Sequence, residues 1–242
     1  MNDISRRDLF LGGAATLLPL LGPQESKKLK VIAAGGHPDD PESGAGGTIA
    51  RYADLGHDAV NLYLTRGEAG IAGKTHDEAA AIRSAEIEKA CAILKARAIF
   101  AGQIDGATEI SAARYEAFRQ ILAEEKPDLV LTHWPVDTHR DHRAISLLVY
   151  DAWLRLGRKF ALYYFEVNLG AQTQHFHPTH YVDISSTEAR KKEACYAHGS
   201  QNPPAFYDKY HEPMQRARGM EAGFKSAEGF IRHNQSRDGF LP

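Results

Sequence analysis

Leu29-Lys30-Val31-Ile32-Ala33-Ala34-Gly35-Gly36-His37-Pro38-Asp39-Asp40-Pro41-Glu42 is the stretch on which the fold turns. Its first six residues form a short, largely apolar run stopped by paired glycines, which predicts a buried strand feeding a charged loop. Gly46 to Ala53 can supply the helix that follows, a turn at Gly56 ends it, and Ala59 to Thr65 reads as a second strand. Strand, helix and strand in succession predict a βαβ unit.

The same alternation continues outward. Asp77 to Ala96 carries Ala, Glu, Lys and Ile at helical spacing, Ala98 to Phe100 gives a short strand, and Ser111 to Glu124 a further helix. A strand at Asp128 to Thr132, a helix from Arg143 to Leu156 and a strand at Ala161 to Val167 come next. Beyond Pro178 the pattern predicts a strand at His180 to Ile184, a helix from Thr187 to Tyr196 and helical stretches near 213–231. The fold class expected is α/β: a Rossmann-like, doubly wound, mostly parallel sheet with helices on both faces. No repeat or linker divides residues 26–242, which read as one domain.

With 43% hydrophobic and 25% charged residues, the 242-residue chain has globular composition, which argues against disorder, collagen-like repeats and multiple membrane spans. Its 29 Lys and Arg against 31 Asp and Glu leave a net charge of −2, so no field attracts phosphate backbones and nucleic acid is not expected as a partner. The 12 histidines invite a metal hypothesis. Cys91 and Cys195 are too few for a disulfide framework or a Cys-rich zinc module. At the amino terminus, Ser5-Arg6-Arg7-Asp8-Leu9-Phe10-Leu11 precedes a short apolar run to Gly22. That run is shorter than the ~20 residues of a spanning helix and resembles a twin-arginine export signal over 1–25, implying a periplasmic or cell-envelope location. No clear small-x-small pair marks a cleavage site.

Three polar loops follow predicted strands: Gly36 to Glu42, Arg66 to Gly70, and His133 to His142. In an open parallel sheet the carboxyl ends of the strands share one rim, where ligands bind, so these loops should meet. His37 with Asp39 and Asp40 offers one imidazole and two carboxylates. One imidazole from the His139-Arg140-Asp141-His142 cluster completes a set of two His and one Asp, which leaves a catalytic zinc an open position for water.

His37-Pro38-Asp39-Asp40, Gly46-Gly47-Thr48, Leu64-Thr65-x-Gly67-Glu68-x-Gly70 and His139-x-Asp141-His142 together resemble the LmbE-like, or PIG-L, family of metal-dependent N-acetylglucosamine deacetylases. Tyr181-Val182-Asp183-Ile184 and His198-x-Ser200-Gln201 are similar to that family's carboxyl-terminal half, so the likeness spans roughly 30–235. Many members carry Glu directly after His-Pro-Asp-Asp; here Pro41 intervenes, and Glu42 receives no role. The resemblance implies that His37, Asp40 and His142 hold one zinc per chain, and that Asp39 is the general base. Ferrous iron would accept the same ligands.

Zinc lowers the pKa of water toward neutrality, and an amine leaves poorly unless protonated, so a base that returns its proton suits amide hydrolysis. The His-x-Asp-His spacing places His139 to stabilise the oxyanion, with Asp141 orienting its ring and favouring its charged form. Arg83 is a substrate-binding candidate, against the alternative of a surface pair with Glu86. Trp134 can stack on a sugar or pack internally, and Asp137 can support the site from behind. The expected partner is a small amino sugar or glycoconjugate, and the oligomeric state, homo-oligomer included, stays open.

Gly44-Ala45-Gly46-Gly47 lacks the G-x-G-x-x-G spacing of a nicotinamide site, and no G-x-S-x-G nucleophile elbow is present. A non-catalytic carbohydrate-binding protein of the same fold is the alternative from a different class. It has no need of Asp39 and Asp141 beside the metal ligands.

Overall fold

The computed structural model describes residues 27–239 and 241–242, so the export segment expected over 1–25 lies outside it. Strand β1 (Lys30–Gly35) is apolar on both faces: Val31 and Ala33 join one core cluster, Ile32 and Ala34 the other. That division is what alternating side chains demand of a strand covered on both sides. The chain continues through α1 (Asp40–Asp54), β2 (Asp58–Tyr63), α2 (His76–Leu94), β3 (Arg97–Phe100), α3 (Ala112–Glu125), β4 (Leu129–His133), α4 (Arg140–Arg155) and β5 (Ala161–Phe165). It closes with β6 (His180–Asp183), α5 (Glu188–Tyr196), a π-helical segment (Pro204–His211), α6 (Glu212–Ala222) and β7 (Ala227–Arg232).

The strands form one seven-stranded sheet in the order β3-β2-β1-β4-β5-β7-β6. From β3 to β5 every pairing is parallel, and β7 then pairs antiparallel with both β5 and β6. Helices α1, α2 and α5 contribute Ile49, Leu94 and Ala194 to one face, while α3 and α4 contribute Phe118 and Leu148 to the other. Among the described residues no helix is long and apolar enough to cross a membrane.

Two expectations are corrected. The helical reading of 213–231 holds only as far as Ala222: Gly223, at φ 77°, ends α6, and residues 227–232 form β7 between β5 and β6. Helices α1 and α4 also begin earlier than read, at Asp40 and Arg140, so much of the polar loop sequence belongs to first helical turns. Small residues bring α1 close to the sheet. A Cβ on Gly44 would overlap Phe165, and one on Gly47 would come within 2.6 Å of Ile184. Cys91 and Cys195 are both free and buried.

Candidate active site

The order β2-β1-β4-β5 reverses direction between β1 and β4, and the crevice beyond the carboxyl ends of two such strands is where an open α/β sheet binds ligands. His37 follows β1, Asp39 is the N-cap of α1 and Asp40 its first residue. His133 ends β4, His139 caps α4, and Asp141 and His142 lie in its first turn. The N-termini of α1 and α4 therefore face one crevice, and their exposed amides favour carboxylates there.

Asp40 Oδ2 is the point of convergence. It accepts the His37 main-chain N–H at 2.7 Å and lies 3.2 Å from His37 Nδ1 and 3.3 Å from His142 Nε2. Ligands at zinc distances in a tetrahedron stand about 3.3 Å apart, so each of these imidazoles is spaced from Asp40 as a shared metal requires; donor atoms mutually within 4.8 Å are found in Asp40, His133 and His142 and in His37, His139 and His142. His133, to which no role was assigned from sequence, also brings Nε2 within 3.3 Å of Asp40 Oδ2. That nitrogen already accepts the Gly36 N–H at 3.3 Å. Asp137 Oδ1 stands 3.1 Å behind His142 Nδ1, the support a ligand imidazole needs to hold its tautomer.

The charges follow from this packing. Burial opposes ionisation of Asp40, but His142 and His133 overcome it and hold the carboxyl well below its usual range. Burial likewise opposes protonation of His142, yet the Asp40 charge and Asp137 raise it to about 9. His133 is pushed down to about 4 by burial and by the charge of His142.

Asp141 departs from its expected role. It is fully buried, accepts from Thr108 Oγ1 at 2.5 Å and Gly106 N at 2.9 Å, and places Oδ2 3.2 Å from His37 Nε2. Asp105 Oδ1 stands 3.2 Å from the same nitrogen. The carboxylates of Asp141 and Asp105 thus serve His37, and only the main-chain N–H of Asp141 meets His139, at Nδ1 and 3.3 Å. Burial and the positive charges of His37 and His142 lower the pKa of His139; the charges of Asp40 and Asp141 favour its charged form, as expected of Asp141, but are outweighed. With Nδ1 accepting, Nε2 carries the ring proton of a neutral His139.

Arg83 is not a surface residue: it is 2% exposed. Its Nη2 donates to the Pro38 carbonyl and, at 3.1 Å, to Asp39 Oδ2. Burial raises the pKa of Asp39 more than Arg83 lowers it. These residues border a cleft of about 280 Å³ whose other wall includes Asn168, Gln172, Gln201, Phe206 and His211. Trp134 does not line it and instead packs edge-on against Tyr164 and Phe176. Glu68 is buried and accepts the Asp105 main-chain N–H at 3.1 Å, so it shapes the loop carrying Asp105. His175 and His177 are exposed and belong to no metal-binding group among the described residues.

The profile of the PIG-L family, described as GlcNAc-PI de-N-acetylase, matches residues 31–153, just over half of the chain. The chain belongs to the PIG-L family. It is 33% identical over 221 residues to a diacetylchitobiose deacetylase of Thermococcus kodakarensis, covering 83% of this chain and 81% of that protein. The crystal structure of N,N'-diacetylchitobiose deacetylase from Pyrococcus horikoshii superposes with a TM-score of 0.73 at 26% identity, over 84% of this chain and 83% of that one. The conserved protein TT1542 from Thermus thermophilus gives a TM-score of 0.74 at 28% identity, over 87% of this chain and all of that one. The matched PIG-L segment runs from β1 into α4 and contains His37, Asp39, Asp40, Arg83, Asp105, His139 and His142. The opposite wall, from Asn168 to His211, lies beyond it.

Proposed function

We propose that this PIG-L protein hydrolyses the N-acetyl, or another small N-acyl, group of an amino sugar or glycoconjugate, with zinc held by His37, Asp40 and His142. The observation that carries the reading is the placing of Asp39. Its carboxylate is held by Arg83 at the edge of the cleft, one residue from the carboxylate on which three imidazoles converge. Zinc bound there would supply a nucleophile at neutral pH and polarise the acyl oxygen.

Asp39 accepts the proton of the attacking water and returns it to the departing nitrogen, because an unprotonated amine is a poor leaving group. His139 Nε2 donates to the oxyanion as it forms; a neutral imidazole suffices for that. Asp105 and Asp141 hold the His37 ring, and Asp137 that of His142. The polar side chains of the far wall suit sugar hydroxyls, and the cleft volume suits one sugar unit with the remainder of a conjugate outside. The deacetylase relatives, acting on acetylated chitobiose, support this substrate class. Export to the periplasm or envelope is a separate proposal resting on residues 5–22, and confinement to the cytosol on fractionation would overturn it.

The test is amine release from a panel of N-acetylated amino sugars before chelation, after it, and after zinc readdition. Release that is lost and then restored supports the reading. Bound metal with binding but no release of amine would favour the non-catalytic carbohydrate-binding alternative.

A further inference from the structure

Asp39 sits at φ 96°, ψ −26°, in the left-handed region that strains an L side chain. Such a conformation at a reacting residue persists only where its surroundings hold it. Arg83 holds the Pro38 carbonyl and the Asp39 carboxylate. The Asp39 carbonyl accepts the Ser43 N–H at 2.8 Å, as the first helical turn requires, and its own main-chain N–H is held by Glu42, whose Oε2 accepts it at 3.2 Å.

Glu42 is an unusual residue for this task. Helix α2 opens with the same kind of reciprocal cap, built from exposed Thr75 and Glu78, where solvent makes an ionised side chain inexpensive. Glu42 is fully buried. A carboxylate out of water needs partners, and the core supplies them: Asn61 Nδ2 donates to Oε1 at 3.0 Å, Tyr63 OH donates to the same oxygen, and His198 Nε2 lies 3.7 Å from Oε2. Asn61 and Tyr63 belong to β2, so the strand beside β1 fixes the carboxylate that fixes Asp39. Asp40 does not depend on this arrangement, since its Oδ2 is held by the His37 N–H.

We propose that Glu42 is a positioning residue for Asp39, anchored by Asn61 and Tyr63 to keep Asp39 left-handed with its carboxylate at the cleft. The proposal rests on the hydrolase reading, in which Asp39 is the base. Without the Glu42 acceptor the Asp39 backbone relaxes and its carboxylate moves off line, while the metal ligands stay in place.

The experiment is a double-mutant cycle on the zinc-loaded full chain, combining Glu42→Ala with Asp39→Asn. Glu42→Ala alone should lower kcat about 10–100-fold, less than the roughly 10²–10⁴-fold of losing the base outright, with KM and zinc affinity within about threefold of the parent. In the Asp39→Asn background it should change the residual rate by less than about twofold, because no base remains to misplace. Tyr63→Phe, which keeps Glu42 but removes one anchor, should lower kcat in the same direction by about threefold to tenfold and carries the cycle if Glu42→Ala does not fold. Wild-type kcat in these variants, or an equal loss with and without Asp39, overturns the proposal. A parent protein that releases no amine from any substrate would instead count against the hydrolase reading.

Discussion

Asp141 Oδ2 meets His37 Nε2 at 3.2 Å across 104 positions of sequence, joining the first turn of α4 to the loop after β1. The contact crosses the point where the sheet reverses strand order, so one carboxylate ties together the two halves of the donor set. An Asp141→Asn change should therefore act first on the metal. Losing a carboxylate behind a ligand imidazole typically costs 10–100-fold in metal affinity, and chelator competition would read it. Unchanged zinc affinity with reduced turnover would return Asp141 to a role at His139.

Protons compete with zinc for this site. In the metal-free protein burial opposes the charge of His37, but hydrogen bonds to Asp105, Asp141 and Asp40 raise its pKa well above the ordinary value, and His142 reaches about 9. Both must lose a proton to bind metal, so affinity should rise with pH, about tenfold per unit for each proton released, with the His142 contribution levelling off above about 9. The sign for folding is the opposite. Groups whose pKa is raised by folding stabilise the metal-free protein fully below the unfolded value near 6.5 and lose that contribution as pH climbs through the folded value. Zinc titrations and thermal melts of the metal-free protein between pH 6 and 9 check both, and a zinc affinity independent of pH would contradict the assignment.

The seating of α1 makes a paired prediction on stability. At Gly47 a Cβ would approach Ile184 within 2.6 Å, whereas at Gly46 the nearest atom is Lys191 Cγ at 3.4 Å. Gly47→Ala should cost about 1–3 kcal/mol from overpacking. Gly46→Ala should be neutral or stabilising by up to about 1 kcal/mol, from helix propensity alone. Denaturant melts of the two variants decide it, and equal stabilities would mean that α1 is not seated as described.

The parallel half of the sheet was legible because each of its strands is an apolar run ended by a glycine or a charged loop, a signal carried locally. Strand β7 was not. Ala227 to Arg232 is short and mixed in polarity, and it is a strand because β5 and β6 hold it from both sides, a condition that no local window contains. The site divides in the same way. His37, Asp39, Asp40, His139 and His142 could be named because their motifs sit in loops after predicted strands, and the structure brings them to one crevice. Asp105 was missed although it follows β3 and so obeys the same rim rule; its loop, Gly102-Gln103-Ile104-Asp105-Gly106, carries only one charge and drew no notice. Which ring Asp141 serves depends on its rotamer and on Thr108 and Gly106, and spacing within His139-Arg140-Asp141-His142 suggested the nearer ring.

If Asp39 moves protons while His37, Asp40 and His142 hold the metal, substitutions at Asp39 and His142 must separate loss of turnover from loss of metal. Zinc content and steady-state amine release are measured side by side on the parent, Asp39→Asn and His142→Ala. Asp39→Asn should keep about one zinc per chain with turnover reduced about 10²–10⁴-fold, and His142→Ala should lose both metal and turnover. Near-parental turnover in Asp39→Asn, or a full complement of zinc in His142→Ala, would contradict it.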